Sequence, residues 1–198
     1  MEAVSFYNTM ERLLQHVQRY VELDSEEKEL LLSCMRYEEV SKKTHLLKQG
    51  KICTARYFVL KGLLRQYIIG ENGTEQITHF ALENWWVADY DSLDRQLPSE
   101  FCIQAVEPSE LLVLDKDKED ELFRKVPKME RYFRLVLQRS YAASMMRIKY
   151  IFTTSGEERY NHFNSLFPEF IQRIPQYMLA SYLGFSAEFL SKIRAKRS

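Results

Sequence analysis

Apolar residues recur at helical spacing near the start of the chain. Phe6, Met10, Leu13, Leu14, Val17 and Val21 share one side of residues 5–21, which predicts an amphipathic helix. Asp24 and Ser25, followed by Glu26 and Glu27, have the form of a capped helix start with an acidic first turn. They predict a second helix running to about Met35. From Val40 the pattern changes to short runs rich in β-branched and aromatic residues, broken by Gly50, Gly62, Gly70 and Asn72-Gly73. Tyr57–Leu60, Leu63–Ile69, Phe101–Val106 and Leu111–Leu114 read as strands. Asn72-Gly73, lying between Tyr67-Ile-Ile and Ile77-Thr-His-Phe, predicts a hairpin, because both residues tolerate positive φ. Several short strands at this spacing imply a small antiparallel sandwich or barrel.

Strand patterning stops near Asp115, and a short acidic helix is expected over residues 116–125. Pro127 then opens a helical stretch to about Phe152 with no Gly or Pro inside. Its apolar positions form two stripes. Met129, Tyr132, Val136, Ala143, Met146 and Tyr150 make one; Phe133, Leu137, Ile148 and Ile151 make the other. A helix with two apolar faces must bury both. One face is expected against the β region. The stripe from Met129 to Tyr150 is taken as the seam with a second copy, near coiled-coil spacing. Packing of both faces inside one chain is the alternative. Ser155-Gly-Glu-Glu158 is a capping box in form and starts a helix to about Leu166; Phe167–Ile174 reads as a link.

The last stretch, from Pro175, reads as a helix-turn-helix. Pro175 suits a first helical turn, and Met178, Leu179 and Leu183 fall at helical spacing. Ala180 is small where two helices would cross. Gly184 can supply the positive φ that ends the first helix, and Ser186 can cap the second. Leu190 and Ile193 make the inner stripe of that second helix. Ala187, Glu188, Ser191, Lys192 and Arg194 are left pointing outward. A recognition helix needs this division: one apolar face to hold it, one polar face for base edges and phosphates. The same pattern also fits an αα-hairpin that only packs.

Charge sharpens the choice. The 198 residues carry 28 Lys/Arg and 28 Asp/Glu, yet residues 1–123 balance at −9, residues 124–153 at +7 and residues 154–198 at +2. An acidic front and a basic rear suit a molecule that turns only its rear to a polyanion; a solvated basic helix face is the plainer account. These same segments are the expected domains: a sensor over 1–123, a connecting and dimerisation helix over 124–153, and a DNA-binding unit over 154–198. With no leader at the start and no apolar run of about 20 residues, a cytoplasmic protein without membrane contact is expected. Cys34, Cys53 and Cys102 are scattered singly, so no disulfide framework, zinc site or iron–sulfur cluster is expected, and no metal. His16, His45, His79 and His162 are isolated, with no His-x-His pair, Gly-rich phosphate loop or nucleophile motif, so no catalytic residue is assigned and no enzyme is expected.

The order of elements resembles the Crp–Fnr superfamily of transcription regulators. The residues that carry the likeness are Gly50 and Tyr57-Phe-Val-Leu-Lys-Gly62-Leu-Leu-Arg65 in the β region, and Ala-Ser-Tyr-Leu-Gly-Phe-Ser-Ala-Glu-Phe-Leu-Ser-Lys-Ile near the end. It implies an α+β protein: an antiparallel β-roll sensor (a jelly-roll-like double-stranded β-helix), a long dimerisation helix, and an all-α helix-turn-helix domain with a reduced wing. It also implies a homodimer reading an inverted repeat in double-stranded DNA, with RNA polymerase as a further partner and a small-molecule effector of unidentified nature. Glu188 and Lys192 match base-reading positions; a carboxylate can accept from cytosine N4 and a cation can donate to guanine O6/N7. Ser186, Ser191, Arg194, Lys196 and Arg197 are the candidate phosphate contacts. Ala187 stands where the family often has arginine.

The ligand region departs from the family. Members that bind cyclic nucleotide carry a Gly–Glu pair and, further on, an Arg–Ser/Thr pair. Here Asp89 stands for the glutamate, and Pro98 and Glu100 flank Ser99 where a cation is needed, leaving Arg95 as the nearby cation. Cyclic AMP is therefore not expected, and no cofactor is assigned. Trp85, Trp86, Asp89, Tyr90 and Ser99 form a candidate pocket for a less anionic ligand, while Trp85 and Trp86 serve equally well as core. His79 is a haem ligand by residue type only. The alternative function is a ligand-binding β-roll whose helix-turn-helix serves protein contacts.

Overall fold

The computed structural model describes residues 2–195, with side chains from Met10 onward. Helix α1 (Glu2–Gln18) buries Met10, Leu13 and Val17. Helix α2 (Ser25–Ser33) starts at a capping box: Asp24 Oδ1 accepts from Glu27 N and Glu27 Oε2 accepts from Asp24 N, both at 2.9 Å. It stops before Met35, which instead opens strand β1 (Met35–Val40). The sequence hides this strand. Only its end residues are buried, and Arg36, Glu38 and Glu39 lie between.

Seven more strands follow: β2 (His45–Leu47), β3 (Ala55–Lys61), β4 (Leu64–Ile69), β5 (Glu75–Ala81), β6 (Trp86–Val87), β7 (Phe101–Ala105) and β8 (Ser109–Asp115), with helix α3 (Tyr90–Arg95) after β6. They form two four-stranded antiparallel sheets, ordered β1-β8-β3-β6 and β2-β7-β4-β5. The fully apolar runs of β3 and β8 now have a cause. Tyr57, Val59, Leu111 and Val113 point between the sheets, whereas Phe58, Leu60, Leu112 and Leu114 point outward under helices. Strands buried on both faces lose the alternation that a half-exposed strand shows. Each leucine buried in this way contributes about 1.5–3 kcal/mol of transfer free energy.

Helices α4 (Lys116–Lys125) and α5 (Lys128–Thr153) follow, then α6 (Gly156–Leu166), α7 (Pro168–Arg173), α8 (Gln176–Leu183) and α9 (Ala187–Ala195). No strand follows β8 among the described residues, so this last region is all-helical. Helices α1, α2, α4 and the first half of α5 cover the outer face of the β1-β8-β3-β6 sheet. The other sheet is covered by α7, α8 and α9, whose Phe170, Ile174, Met178, Leu179, Leu190 and Ile193 share a core with Leu63, Tyr67, Ile77 and Phe80. The stretch read as a link thus holds a packed helix, Pro168–Arg173. Among the described residues, no helix is long and apolar enough to cross a membrane.

Two turns show what fixes the strand edges. The β4–β5 hairpin forms, but only Gly73 adopts positive φ (+77°); Asn72 instead accepts from Thr74 N (3.1 Å) at its Oδ1. Gly73 N donates to Gly70 O (2.8 Å) and Gly70 N to Thr74 O (3.0 Å), so the loop is longer than a two-residue turn. Gly62, at φ +101°, turns β3 into β4 against Ser109; a Cβ there would sit 2.3 Å from Ser109 Oγ.

Candidate nucleic-acid interface and ligand cavities

The helix-turn-helix is built from α8 and α9. Gly184 ends α8 in the left-handed region (φ +79°, ψ +37°), and Phe185 N reaches back to Ala180 O at 3.1 Å, closing the helix in Schellman fashion. Ser186 Oγ then accepts from Phe189 N at 3.2 Å and caps α9. Leu190 and Ile193 are buried against Leu179, Ala180 and Leu183. Glu188, Ser191, Lys192 and Arg194 are exposed on the opposite side, with Ser186 at the exposed cap. Ala187 is half-buried against the core instead of facing outward. Lys196 and Arg197 lie outside the described residues. The backbone N–H of Glu188 itself and the Ser186 hydroxyl hold the Glu188 carboxyl below the usual carboxylate range, with Lys192 adding to the effect.

Three residues that sequence reasoning missed fasten this unit to the β sheets. Strand β5 is a sheet edge, with unpaired backbone groups that need partners. Ser181 of α8 supplies one: Ile77 N donates to its Oγ (2.9 Å), which donates in turn to Glu75 O (3.2 Å). Arg147 of α5 donates to Ile77 O (3.1 Å), Thr78 O (2.7 Å) and Tyr182 O (3.0 Å). Arg173 of α7 pairs with Glu83 (2.8 Å) and Glu107 (2.5 Å) and donates to Gly62 O (3.1 Å). The ties to the sheet domain join residues 66 or more apart, so no local pattern signals them. At Arg147 the one hint is a cation set between Met146 and Ile148.

The candidate ligand residues separate into different environments. Asn84 lies in the left-handed region at φ +67°; of the two residues that follow, Trp85 is exposed and Trp86 is buried. Trp86 is core: its Nε1 donates to the Tyr132 hydroxyl (2.7 Å), which is also hydrogen-bonded to His16 Nδ1 (2.7 Å). Asp89 caps α3, accepting from Ser92 N (3.3 Å), and its other oxygen accepts from the buried Ser99 hydroxyl at 2.6 Å. Trp85, Trp86 and Tyr90 line one cavity of about 370 Å³ beside α1 and α5. Trp86, Asp89 and Tyr90 line a second of about 420 Å³ facing Ser140 and Ser144. Ser99 lines neither.

The second cavity holds two carboxylates, Asp89 and Asp91, and no Lys or Arg among its lining residues. Arg95 is not among the lining residues and pairs with Asp91 at 3.6 Å. This donor set does not fit a cyclic phosphate. His79 lines the same cavity; burial, and then the charge of Arg147, lowers its pKa to about 4, so it is a neutral imidazole at pH 7. Cys34, Cys53 and Cys102 are buried in three different cores and do not converge.

The long helix is covered unevenly along its length. Met129 and Tyr132 are buried under α1 and the sheet with Val136 packed on them, while Ala143, Met146 and Tyr150 line a cavity beside α6 and α8. The start of that stripe faces its own chain, whereas Ala143 and Met146 are exposed. Tyr141, Met145, Ile148 and Phe152 are turned to solvent as well.

Two antiparallel sheets closed as a roll, a long helix and a two-helix unit with its polar face outward are the architecture of one group of proteins. Residues 37–126 match the family model of the cyclic nucleotide-binding domain. The chain is similar to regulators of the Crp–Fnr superfamily. It is 25% identical over 169 residues to the anaerobic regulatory protein of Aggregatibacter actinomycetemcomitans, matching 80% of this chain and 65% of that protein. It is 25% identical to the fumarate and nitrate reduction regulatory protein of Vibrio cholerae, covering 80% and 67%. The chain thus spans about two thirds or less of the length of the curated relatives it matches. In structure it resembles the c-di-GMP-responsive global regulator CLP of Xanthomonas campestris, with TM-score 0.74, 13% identity and coverage of 88% and 91%. It also resembles the catabolite activator protein of Thermus thermophilus, with TM-score 0.56, 22% identity and coverage of 88% and 83%.

Proposed function

We propose that this chain is a homodimeric, sequence-specific DNA-binding regulator of the Crp–Fnr type. The observation that carries the reading is the division of α9: Leu190 and Ile193 fixed in the core, Glu188, Ser191, Lys192 and Arg194 on the open side. A helix anchored on one side only can enter a major groove with the other. Glu188 and Lys192 are assigned to base edges, and Ser186, Ser191 and Arg194 to phosphates. Two-fold symmetry then requires an inverted repeat with half-sites about 10 bp apart, or a multiple of that spacing. Tyr141, Met145, Ile148 and Phe152, with Ala143 and Met146 of the expected stripe, are assigned as the seam between copies. Contact with RNA polymerase rests on the family alone.

Binding-site selection with wild type, Glu188→Ala and Arg194→Ala tests the reading. Glu188→Ala is expected to relax the preference at one position per half-site, at a cost of about 1–3 kcal/mol in discrimination. Arg194→Ala is expected to weaken all sequences alike and to lower the salt slope by about 1. Equal effects of Glu188→Ala on every sequence remove it as a reader. Absence of any selected sequence removes the function.

A further inference from the structure

We propose that the cavity enclosed by α5, α6, the end of α8 and Trp85 is a binding site for a small hydrophobic carboxylic acid. The cavity measures about 250 Å³. Trp85, Met146, Ile151, Phe163, Leu166 and Phe167 make its apolar wall, and Arg147 and Arg159 its cations; none of its lining residues is a carboxylate.

The two guanidiniums are held by neutral groups alone. Arg147 Nε donates to Tyr182 O (3.0 Å) and Arg159 Nη1 to the next carbonyl along, Leu183 O (2.7 Å). Arg147 spends its other bonds on Thr78 O and Ile77 O, and Arg159 on Thr154 O (3.2 Å). Neither forms an ion pair among the described residues. Arg159 Nε is buried without a partner. Carbonyls at the end of α8 satisfy part of the donor capacity and interact well with cations, but they carry only a fraction of the opposing charge. Burial accordingly draws the Arg147 pKa below its ordinary value, and no carboxylate opposes the effect.

What is missing is therefore a negative charge with two acceptor oxygens, which matches the planar fork of a guanidinium. The wall asks for an apolar tail. The volume lies below the range of about 300–1,000 Å³ for drug-sized ligands, so the fitting acids run from benzoate to octanoate in size, well short of a nucleotide. The site is separate from the cavity at Asp89 inside the sheet domain. An acid seated here touches α5, the helix-turn-helix and the loop of the sheet domain together, and so favours one arrangement of the three. That regulatory consequence rests on the DNA-binding reading above; the binding does not.

The test uses the full chain without DNA, titrated with octanoate and with octan-1-ol as the neutral isostere, and read by tryptophan fluorescence and thermal shift. Octanoate is expected to saturate and to raise Tm with concentration, with octanol at least tenfold weaker. Arg159→Gln is expected to weaken octanoate at least tenfold and leave octanol unchanged. Leu166→Trp, which fills the mouth and keeps both cations, is expected to abolish binding of both. Absence of a saturable change, equal binding of the acid and the alcohol, or wild-type octanoate affinity in Leu166→Trp overturns the proposal. Should circular dichroism show Arg159→Gln unfolded, the alcohol comparison and Leu166→Trp decide. A parallel DNA titration keeps the two readings apart: saturable octanoate binding without DNA retention sinks only the regulator.

Discussion

In the first half of α5, Met129, Tyr132 and Phe133 are 0%, 0% and 3% exposed; in the second half, Tyr141, Ile148 and Phe152 are 66%, 43% and 82% exposed. Both halves are apolar, aromatic and free of Gly and Pro. The difference is what the chain provides to cover them. Helices α1, α2 and α4 and a sheet close over the first half, whereas the second half receives α6 and α8 on one side and nothing on the other. The exposed residues repeat at steps of four, three and four, which keeps a seam in line along a supercoil. An uncovered apolar seam with that spacing is matched by a second copy of itself, in keeping with the homodimer proposed above. Burial inside the chain and burial against a partner should then respond to different substitutions.

The strongest way to break the comparison is Tyr132→Ala. This side chain is fully buried and holds both Trp86 Nε1 and His16 Nδ1, so its truncation leaves a cavity and two unmet polar groups. A loss of about 3–5 kcal/mol of folding stability is expected, read by urea denaturation. Full stability in that variant would mean the first half is not the anchor of the helix. Next is the pair Met145→Glu with Ile148→Glu. Both positions are exposed in the single chain, so folding should change little, while like charges now face each other across the seam. Dimer dissociation is expected to strengthen more than 100-fold, about 3 kcal/mol, measured by sedimentation. A dimer that survives intact moves the interface elsewhere.

Much of this division was legible in the residues. Capping boxes at Asp24 and Ser155, the Gly184 turn and the Leu190–Ile193 stripe are local signals, and each forms as local physics requires. What stayed hidden was long-range. Helix α5 showed two apolar stripes, but which one meets a partner depends on where α1, α6 and α8 settle, and no spacing within α5 records that. The candidate pocket residues divide between two cavities for the same kind of reason: Trp85, Trp86 and Tyr90 line one, Trp86, Asp89 and Tyr90 line the other, and Asp89 is engaged as a cap and as the acceptor from Ser99. Gly156 had a second role that its capping box concealed. A Cβ there would lie 2.5 Å from the Phe189 ring, so the glycine is where α6 admits α9.

The smallest expected effect concerns pH and again separates the two halves of α5. His16 is buried against Tyr132, and its pKa is lowered to about 4 by burial and then by Arg19 and Arg139. In the unfolded chain it titrates near its ordinary value of about 6.5. Between these values the unfolded chain binds a proton that the folded chain refuses, so stability is fully present above about pH 6.5 and declines as pH falls toward 4. At pH 5 the loss from this one group is of order 2 kcal/mol relative to pH 7. His16→Gln removes the titration and keeps a side chain that can accept from the Tyr132 hydroxyl. Denaturation at pH 7 and pH 5 should therefore give a smaller difference for the variant than for wild type. His79, whose pKa is lowered in the same direction, and the carboxylates remain in both proteins and cancel in the comparison. The Met145 and Ile148 pair touches no such group, so its effect on dimer dissociation should be present at both pH values. An unchanged pH dependence in His16→Gln would show that burial does not hold this imidazole neutral in the folded chain.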